Sequence, residues 1–410
     1  MNLLGLRGLA LFLLLVALHS LTPAWSATRA GWVSTWTAAP DSAGPVLPAQ
    51  TIRQIIRTSA GGSQVRVRLS NLFGTAPLAI TAVRIAVRAG GPDIRPGSDR
   101  KLTFKGSSSV TIPKGESVLS DPVGMEVEAL QELAVSMYLP AGAERSTLHG
   151  AGMQTAYIAP GQDSSQATVF PAGSTDDSRY FLTDVEVAAE EGTGAIVVLG
   201  DSIADGIGST QDRNARWPDF LAQELQRGGG RPQVAVVNAG IAGNRIVNDG
   251  ARPFVGPSAL ARFDRDALDK PGVRWIVLAQ GINDIVASDM LADPAQQVSA
   301  EQVIEGMRHL VRRARDQGVK VWGTTLLPLG GVKKPFIHSP TGEVKRQAIN
   351  AWIRSSGEFD AVLDFDQLMR DPAQPERLLP QFDSGDHLHP NDAGYQTMAR
   401  AASALWKSPK

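Results

Sequence analysis

The chain has 410 residues, a formal net charge of −1 from 40 Lys+Arg against 41 Asp+Glu, and no cysteine. That length is comfortable for two domains and a sizeable core. The charge balance, without any basic run, gives no support to nucleic acid as a partner or to electrostatic capture by an acidic membrane. The missing cysteine excludes disulfides, thiol nucleophiles, cysteine-ligated zinc and a lipid-anchored cysteine.

Taken in chain order, Arg7 precedes an apolar run over residues 9–18, followed by Pro23 and the small residues around Ala24-Trp25-Ser26-Ala27. This charged, apolar and cleavable order predicts a secretory signal peptide over residues 1–26, a mature chain beginning near Ala27, and a secreted or periplasmic location. An apolar stretch of about ten residues falls short of the twenty or so that span a bilayer, so no stable membrane insertion is expected after cleavage.

Residues 31–187 read as a β-rich accessory domain. Residues 65–69 (Val-Arg-Val-Arg-Leu) alternate apolar and charged side chains as a half-buried strand does, and short runs at 78–87, 102–104, 110–112 and 133–139 read alike. Turn-forming clusters such as Gly61-Gly62-Ser63 and Gly90-Gly91-Pro92-Asp93 separate them, with no amphipathic helix between, which predicts a β-sandwich or jelly-roll-like module. Residues 171–178 are loop-like, and Glu190-Glu191-Gly192-Thr193-Gly194 reads as a linker.

From residue 190 to 410 strand and helix alternate. Five short apolar strands are expected at 195–199, 234–237, 275–278, 320–325 and 361–365. Helices lie between them, the clearest over 300–317 with a stop at Gly318, and a last helix runs from an Asn391 cap to about residue 405. Such alternation implies a parallel sheet covered on both faces.

Four segments carry the chemistry: Gly200-Asp201-Ser202-Ile203, Asn238-Ala239-Gly240-Ile241-Ala242-Gly243, Gly281-Ile282-Asn283-Asp284 and Asp386-His387-Leu388-His389-Pro390. The first three each close an expected strand, where an open α/β sheet gathers its ligands. Serine needs a base to take its proton as it attacks. Ser202 directly follows a strand, and His389 has Asp386 three residues earlier to fix its tautomer. His387 reads as an exposed loop residue, while His149, His309 and His338 read as surface or packing residues.

Together these segments closely resemble the SGNH hydrolases, the GDSL lipase/esterase family, over roughly residues 190–405. The resemblance implies a three-layer α/β/α flavodoxin-like SGNH hydrolase domain, following the N-terminal β-sandwich-like domain. It implies a catalytic set of Ser202, Asp386 and His389, with oxyanion donors from Ser202, Gly243 and Asn283. Ile203 stands where the family usually has leucine. The strings 238–245, 256–265 and 277–285 are most similar to a branch of arylesterases and carbohydrate acyl esterases. That branch implies a small-molecule or carbohydrate ester substrate with an acetyl or other short acyl group, a lipid ester being the alternative, and no cofactor and no metal. Asp201 and Asp284 are expected to brace loops, and Asn238, Arg245 and Arg216-Trp217-Pro218 to line the pocket or to pack. A metal site around residues 386–392 lacks further ligand motifs, a phosphate loop at 200–210 lacks its lysine, and an inert carbohydrate-binding protein conflicts with the complete catalytic set.

Overall fold

The computed structural model describes residues 31–227, 233–291, 293–332 and 337–407; the signal peptide expected over 1–26 lies outside them. In the first half of the chain the main strands are β1 (Gly31–Thr37), β2 (Gln50–Arg57), β3 (Gly62–Ser70), β4 (Ala82–Gly90), β5 (Glu132–Leu139), β6 (Ala156–Pro160) and β7 (Leu182–Ala189). All pairings among them are antiparallel, with β1-β7-β3 in one sheet and β6-β2-β5-β4 in the other. The period-two pattern of β3 does what alternation dictates: Val65, Val67 and Leu69 enter a shared core with Ile52, Ile85, Val135 and Val187. Arg66 and Arg68 point to the other face, where both pair with buried Glu186 of β7. No helix occurs among the described residues of this half.

Three local expectations differ from the structure. The run 78–87 breaks at Thr81 into Leu78–Ile80, which pairs with Val110–Ile112, and β4, which pairs with β5. Residues 102–104 are not a strand: pairing with β4 stops at Arg100–Lys101, and Phe104 makes only an isolated bridge across a turn to Ser107. Within the expected loop 171–178, Ser174–Asp176 pairs with β6, because its polar side chains can stand exposed on an edge strand.

A turn over residues 190–193 leads into β8 (Gly194–Gly200), followed by β9 (Val234–Gly240), β10 (Val273–Ala279), β11 (Lys320–Thr324) and β12 (Ala361–Leu363). They form one fully parallel sheet in the order β9-β8-β10-β11-β12. Reversal of direction at β8 makes its carboxyl end, beside those of β9 and β10, the switch point where ligands bind. The main helices are α1 (Ser202–Asp205), α2 (Trp217–Arg227), α3 (Ile282–Met290), α4 (Ala300–Asp316), α5 (Pro340–Ser355) and α6 (Asp392–Lys407). Successive residues of β8 serve opposite layers. Val197 and Leu199 pack with α4 and α5 residues such as Leu310 and Ile349, while Ile196 and Val198 pack with Leu221 of α2 and Met398 of α6. This is a three-layer α/β/α arrangement. Helix α4 begins with a reciprocal Ser299–Gln302 capping box and is followed by Gly318 at φ +72°, as its sequence signals require. The last strand is shorter than expected because Asp364 caps a new helix at Phe365. No described helix is long and apolar enough to cross a membrane.

The two halves share polar and apolar contacts. Ala195 and Ala235 extend the sandwich core into the parallel sheet. The edge strand β9 has its Val236 N–H taken by the Ser59 hydroxyl at 3.0 Å, so its free edge is covered. Buried Asp184 of β7 accepts from Ser34 of β1 and from Lys270 just before β10. Removing one partner of a buried pair leaves an uncompensated charge and costs about 3–5 kcal/mol. Asp184→Ala should therefore lower unfolding stability by about that amount in urea titration, and the double variant with Lys270→Met by clearly less.

Candidate active site

Ser202 opens α1 immediately after β8. Asp201 caps that helix, its carboxylate accepting the Ile203 N–H at 3.0 Å. Burial pushes the Asp201 carboxyl up to about 7 against the pull of that hydrogen bond. Asn238, at the end of β9, donates to the Ala204 carbonyl at 2.6 Å and accepts from Gly240 N–H at 2.9 Å. It braces the nucleophile turn and takes no part in the cleft at Gly243 and Asn283.

The loop before α6 delivers the imidazole. An isolated bridge joins Asp383 to Pro390, Ser384 N–H donates to the His389 carbonyl at 3.0 Å, and Asn391 caps α6 through Gly394 N–H at 3.0 Å. Within this closed loop Asp386 accepts His389 Nδ1–H at 2.6 Å and the backbone N–H groups of Leu388 and His389 at 2.9 and 2.8 Å. Burial would raise the Asp386 carboxyl, but the His389 side-chain and backbone donors outweigh it and hold it below the usual carboxylate range. His389 Nε2 lies 2.9 Å from Ser202 Oγ. His387 is a loop residue with an exposed side chain, as expected, and at φ +65° it pairs with Asp383 at 2.5 Å. Two neighbouring Asp–His pairs therefore share one loop, and only that of His389 reaches Ser202.

The loop after β9 and the start of α3 meet at one cleft. Gly243 sits at φ +77°, a conformation glycine adopts without strain, and neither its N–H nor that of Ser202 meets an acceptor among the described residues. Asn283 spends one Nδ2 proton on the Asn244 carbonyl at 3.1 Å and keeps the other. Asp284 accepts the Ile246 and Val247 N–H groups at 2.8 and 3.0 Å, fixing the far side of the loop, and burial pushes its carboxyl up to about 6. Gly243 and Asn283 line a small cleft of about 80 Å³, walled by Val255, Val286, Ala287 and Met290, with Arg245 beside it. Trp217 instead packs edge-on against Phe365 in the core, and Arg216 pairs with Asp219, so that group serves packing.

Two functional positions carried no usable sequence signal. Arg262 lies inside a string similar to the esterase branch, yet nothing there marks its role. Its fully buried guanidinium donates to the Gly200 carbonyl at 3.0 Å, the Ala239 carbonyl at 2.8 Å and Asn244 Oδ1 at 3.0 Å, balanced by Asp266 at 3.2 Å. His149 is neither a surface residue nor simple packing: it is buried against Asp205 of α1, 56 positions away in sequence.

Residues 198–397 match the model of the GDSL-like Lipase/Acylhydrolase family. The chain carries a GDSL-like lipase/acylhydrolase domain and is an ester hydrolase. No curated protein matches the sequence. Among solved structures it is similar to an acetyl-xylooligosaccharide esterase from Geobacillus Stearmophilus, a mutant form, at 20% identity, covering 53% of this chain and 95% of that one with a TM-score of 0.40. It is also similar to the native aryl esterase of M. Smegmatis, at 16% identity over 52% of this chain and 98% of that one, TM-score 0.41. A G-D-S-L family lipolytic protein from Desulfitobacterium hafniense aligns at 22% identity over 52% and 98% of the two chains, TM-score 0.38.

The two histidines of the esterase loop give a direct comparison. His389→Ala should lower kcat on an aryl acetate by about two to four orders of magnitude, the range of general acid–base catalysis. His387→Ala should stay within about tenfold of the parent, because its partner is Asp383 and not the serine.

Proposed function

We propose that this protein is an exported serine esterase that removes acetyl or other short acyl groups from carbohydrate or small ester substrates. The observation that carries the proposal is the continuous line from Asp386 Oδ2 through His389 to Ser202 Oγ, with links of 2.6 and 2.9 Å. Nδ1 faces a carboxylate and so bears the proton, which leaves the Nε2 lone pair for the serine hydroxyl. As Ser202 Oγ bonds to the ester carbonyl carbon, its proton passes to Nε2, and the carbonyl electron pair moves onto oxygen. The N–H groups of Ser202 and Gly243 and the free Asn283 amide proton receive that oxyanion. Collapse re-forms the carbonyl and breaks the bond to the alcohol, which leaves with the proton from Nε2. Water then repeats the sequence on the acyl-enzyme, giving up a proton to Nε2 as it attacks and freeing the acid and Ser202.

A short acyl group is supported by the small apolar cleft of about 80 Å³ beside Gly243 and Asn283, between Val286, Ala287 and Met290. The similarity of residues 238–245, 256–265 and 277–285 to arylesterases and carbohydrate acyl esterases points the same way. Export is supported by the order of charged, apolar and small residues from Arg7 to Ala27.

Ser202→Ala should abolish turnover in a folded protein. The parent enzyme should cleave acetyl aryl esters and acetylated xylan faster than palmitoyl esters or phospholipid. A reversed order would instead make this a lipid esterase. Mass spectrometry of the exported product should find its first residue near Ala27, and an intact Met1 on a membrane-bound product would refute export.

A further inference from the structure

One buried cation beside the site takes no part in the steps above. His149 ends the short strand Thr147–His149 in the β-rich half and is only 5% exposed. Its Nδ1 lies 2.9 Å from the Ala39 carbonyl and its Nε2 lies 3.1 Å from Asp205 Oδ1. Nδ1 hydrogen-bonds the Ala39 carbonyl while Nε2 pairs with the Asp205 carboxylate, and an acceptor on each side favours the imidazolium. The charged groups facing it are Asp205 from α1 and, 3.7 Å from Nδ1, Asp41 from the segment after β1. Arg216 and Arg262 act on Asp205 from the elements packed on its other sides. Burial opposes the charge, but Asp205, Asp41 and the Ala39 carbonyl outweigh it and push the ring up to about 9.

Asp205 is where this cation meets the reaction. Its second oxygen, Oδ2, accepts the N–H of Ala242 at 2.9 Å, and Ala242 directly precedes Gly243. Its own backbone N–H donates to the Asp201 carbonyl at 2.8 Å, one residue before the nucleophile. The carboxylate thus ties the serine turn to the loop after β9, and it has two oxygens and a rotatable side chain that need a fixed second partner. We infer that His149 is a positioning residue of the esterase: the β-rich half reaches into the hydrolase half and, through Asp205, holds the Ala242–Gly243 loop in oxyanion-binding geometry. This rests on Gly243 acting as an oxyanion donor. The β-rich half is then part of the catalytic apparatus, whatever else it binds.

Misaiming an oxyanion donor lowers turnover and leaves ground-state binding nearly untouched, since the donor acts on charge that develops in the transition state. His149→Phe, which removes both ring nitrogens and the ion pair with Asp205, should lower kcat on an aryl acetate about 10–100-fold, somewhat less than outright loss of an oxyanion donor, with KM within about twofold. His149→Gln, which keeps an N–H near the Nε2 position, should recover a large part of that loss. The imidazolium is favoured by folding, so its contribution is complete below the ordinary histidine pKa of about 6.5 and is lost as pH rises through about 9. The parent should accordingly show an alkaline limb in kcat near pH 9, with circular dichroism unchanged across it, and His149→Gln should lack that limb. If His149→Phe fails to fold, the parent limb and the His149→Gln profile still decide the matter. A folded His149→Phe with parental kcat, or no alkaline limb in the folded parent, overturns the inference while Ser202→Ala remains inactive. Turnover by Ser202→Ala would overturn the serine assignment itself and this inference with it.

Discussion

The Arg262 guanidinium is the constraint on which the site depends. Strand ends in a parallel sheet leave carbonyls without partners, and here those of Gly200 and Ala239 are buried under loops that must also hold the reacting groups. One planar cation satisfies both and reaches Asn244 as well. Asn244 passes the restraint on, donating to the Val255 and Pro257 carbonyls at 2.7 Å and accepting from Gln280 at 2.6 Å. The turns after β8, β9 and β10 are therefore referenced to a single group. Its charge is matched by Asp266, whose carboxyl burial alone would raise but which Arg265 and Arg262 hold at about 2. A neutral side chain of similar size would take one donor from each of these carbonyls, leaving Gly200 only the Ile241 N–H and Asp266 only Arg265 among the described residues.

The aspartates around Ser202 show how one side chain is given different work by its surroundings. Asp201 is buried and caps a single backbone N–H group, a task that either protonation state can perform because a neutral acid keeps an acceptor oxygen, so its upward displacement by burial is compatible with its role. Asp284 holds the Ile246 and Val247 N–H groups on separate oxygens, which favours the anion against its burial. Asp386 has to stay anionic to hold His389 Nδ1–H and to stabilise the imidazolium. Its side chain is about half exposed and collects three hydrogen bonds from residues 388 and 389, the conditions that favour charge.

Much of this was legible in the sequence because it is local. The five parallel strands announce themselves as short apolar runs, α4 by its capping box and following glycine, and Asp386 and His389 by a three-residue spacing that one loop can close. Ser202, Gly243 and Asn283 could be placed together because each ends a strand of the same sheet. What escaped were pairings without spacing. His149 meets Asp205 only because the sandwich docks against α1, and Arg262 meets Gly200 across 62 residues. Neither sits in a composition that distinguishes it from an ordinary histidine or arginine. The segment 174–176 escaped for a different reason, since its polar, mostly exposed side chains carry no burial pattern to read, whereas buried Leu102 and Phe104 alternate like a strand without continuing the pairing.

The cover over β9 has a consequence for how the protein reaches its native state. The contacts that complete the molecule join distant parts of the chain, 150 residues between Ser34 and Asp184 and 187 between Ser202 and His389. Such topologies fold slowly, since loop-closure entropy is spent before the contacts that reward it are made. During that interval Ser59 has not yet reached Val236, and the outer edge of β9 presents bare N–H and C=O groups flanked by Val234, Val236 and Val237. The sandwich therefore acts as an intramolecular guard for a strand that would otherwise recruit neighbouring chains. Refolding yield should be set by how soon that guard arrives relative to encounters between molecules, which makes it fall steeply with protein concentration.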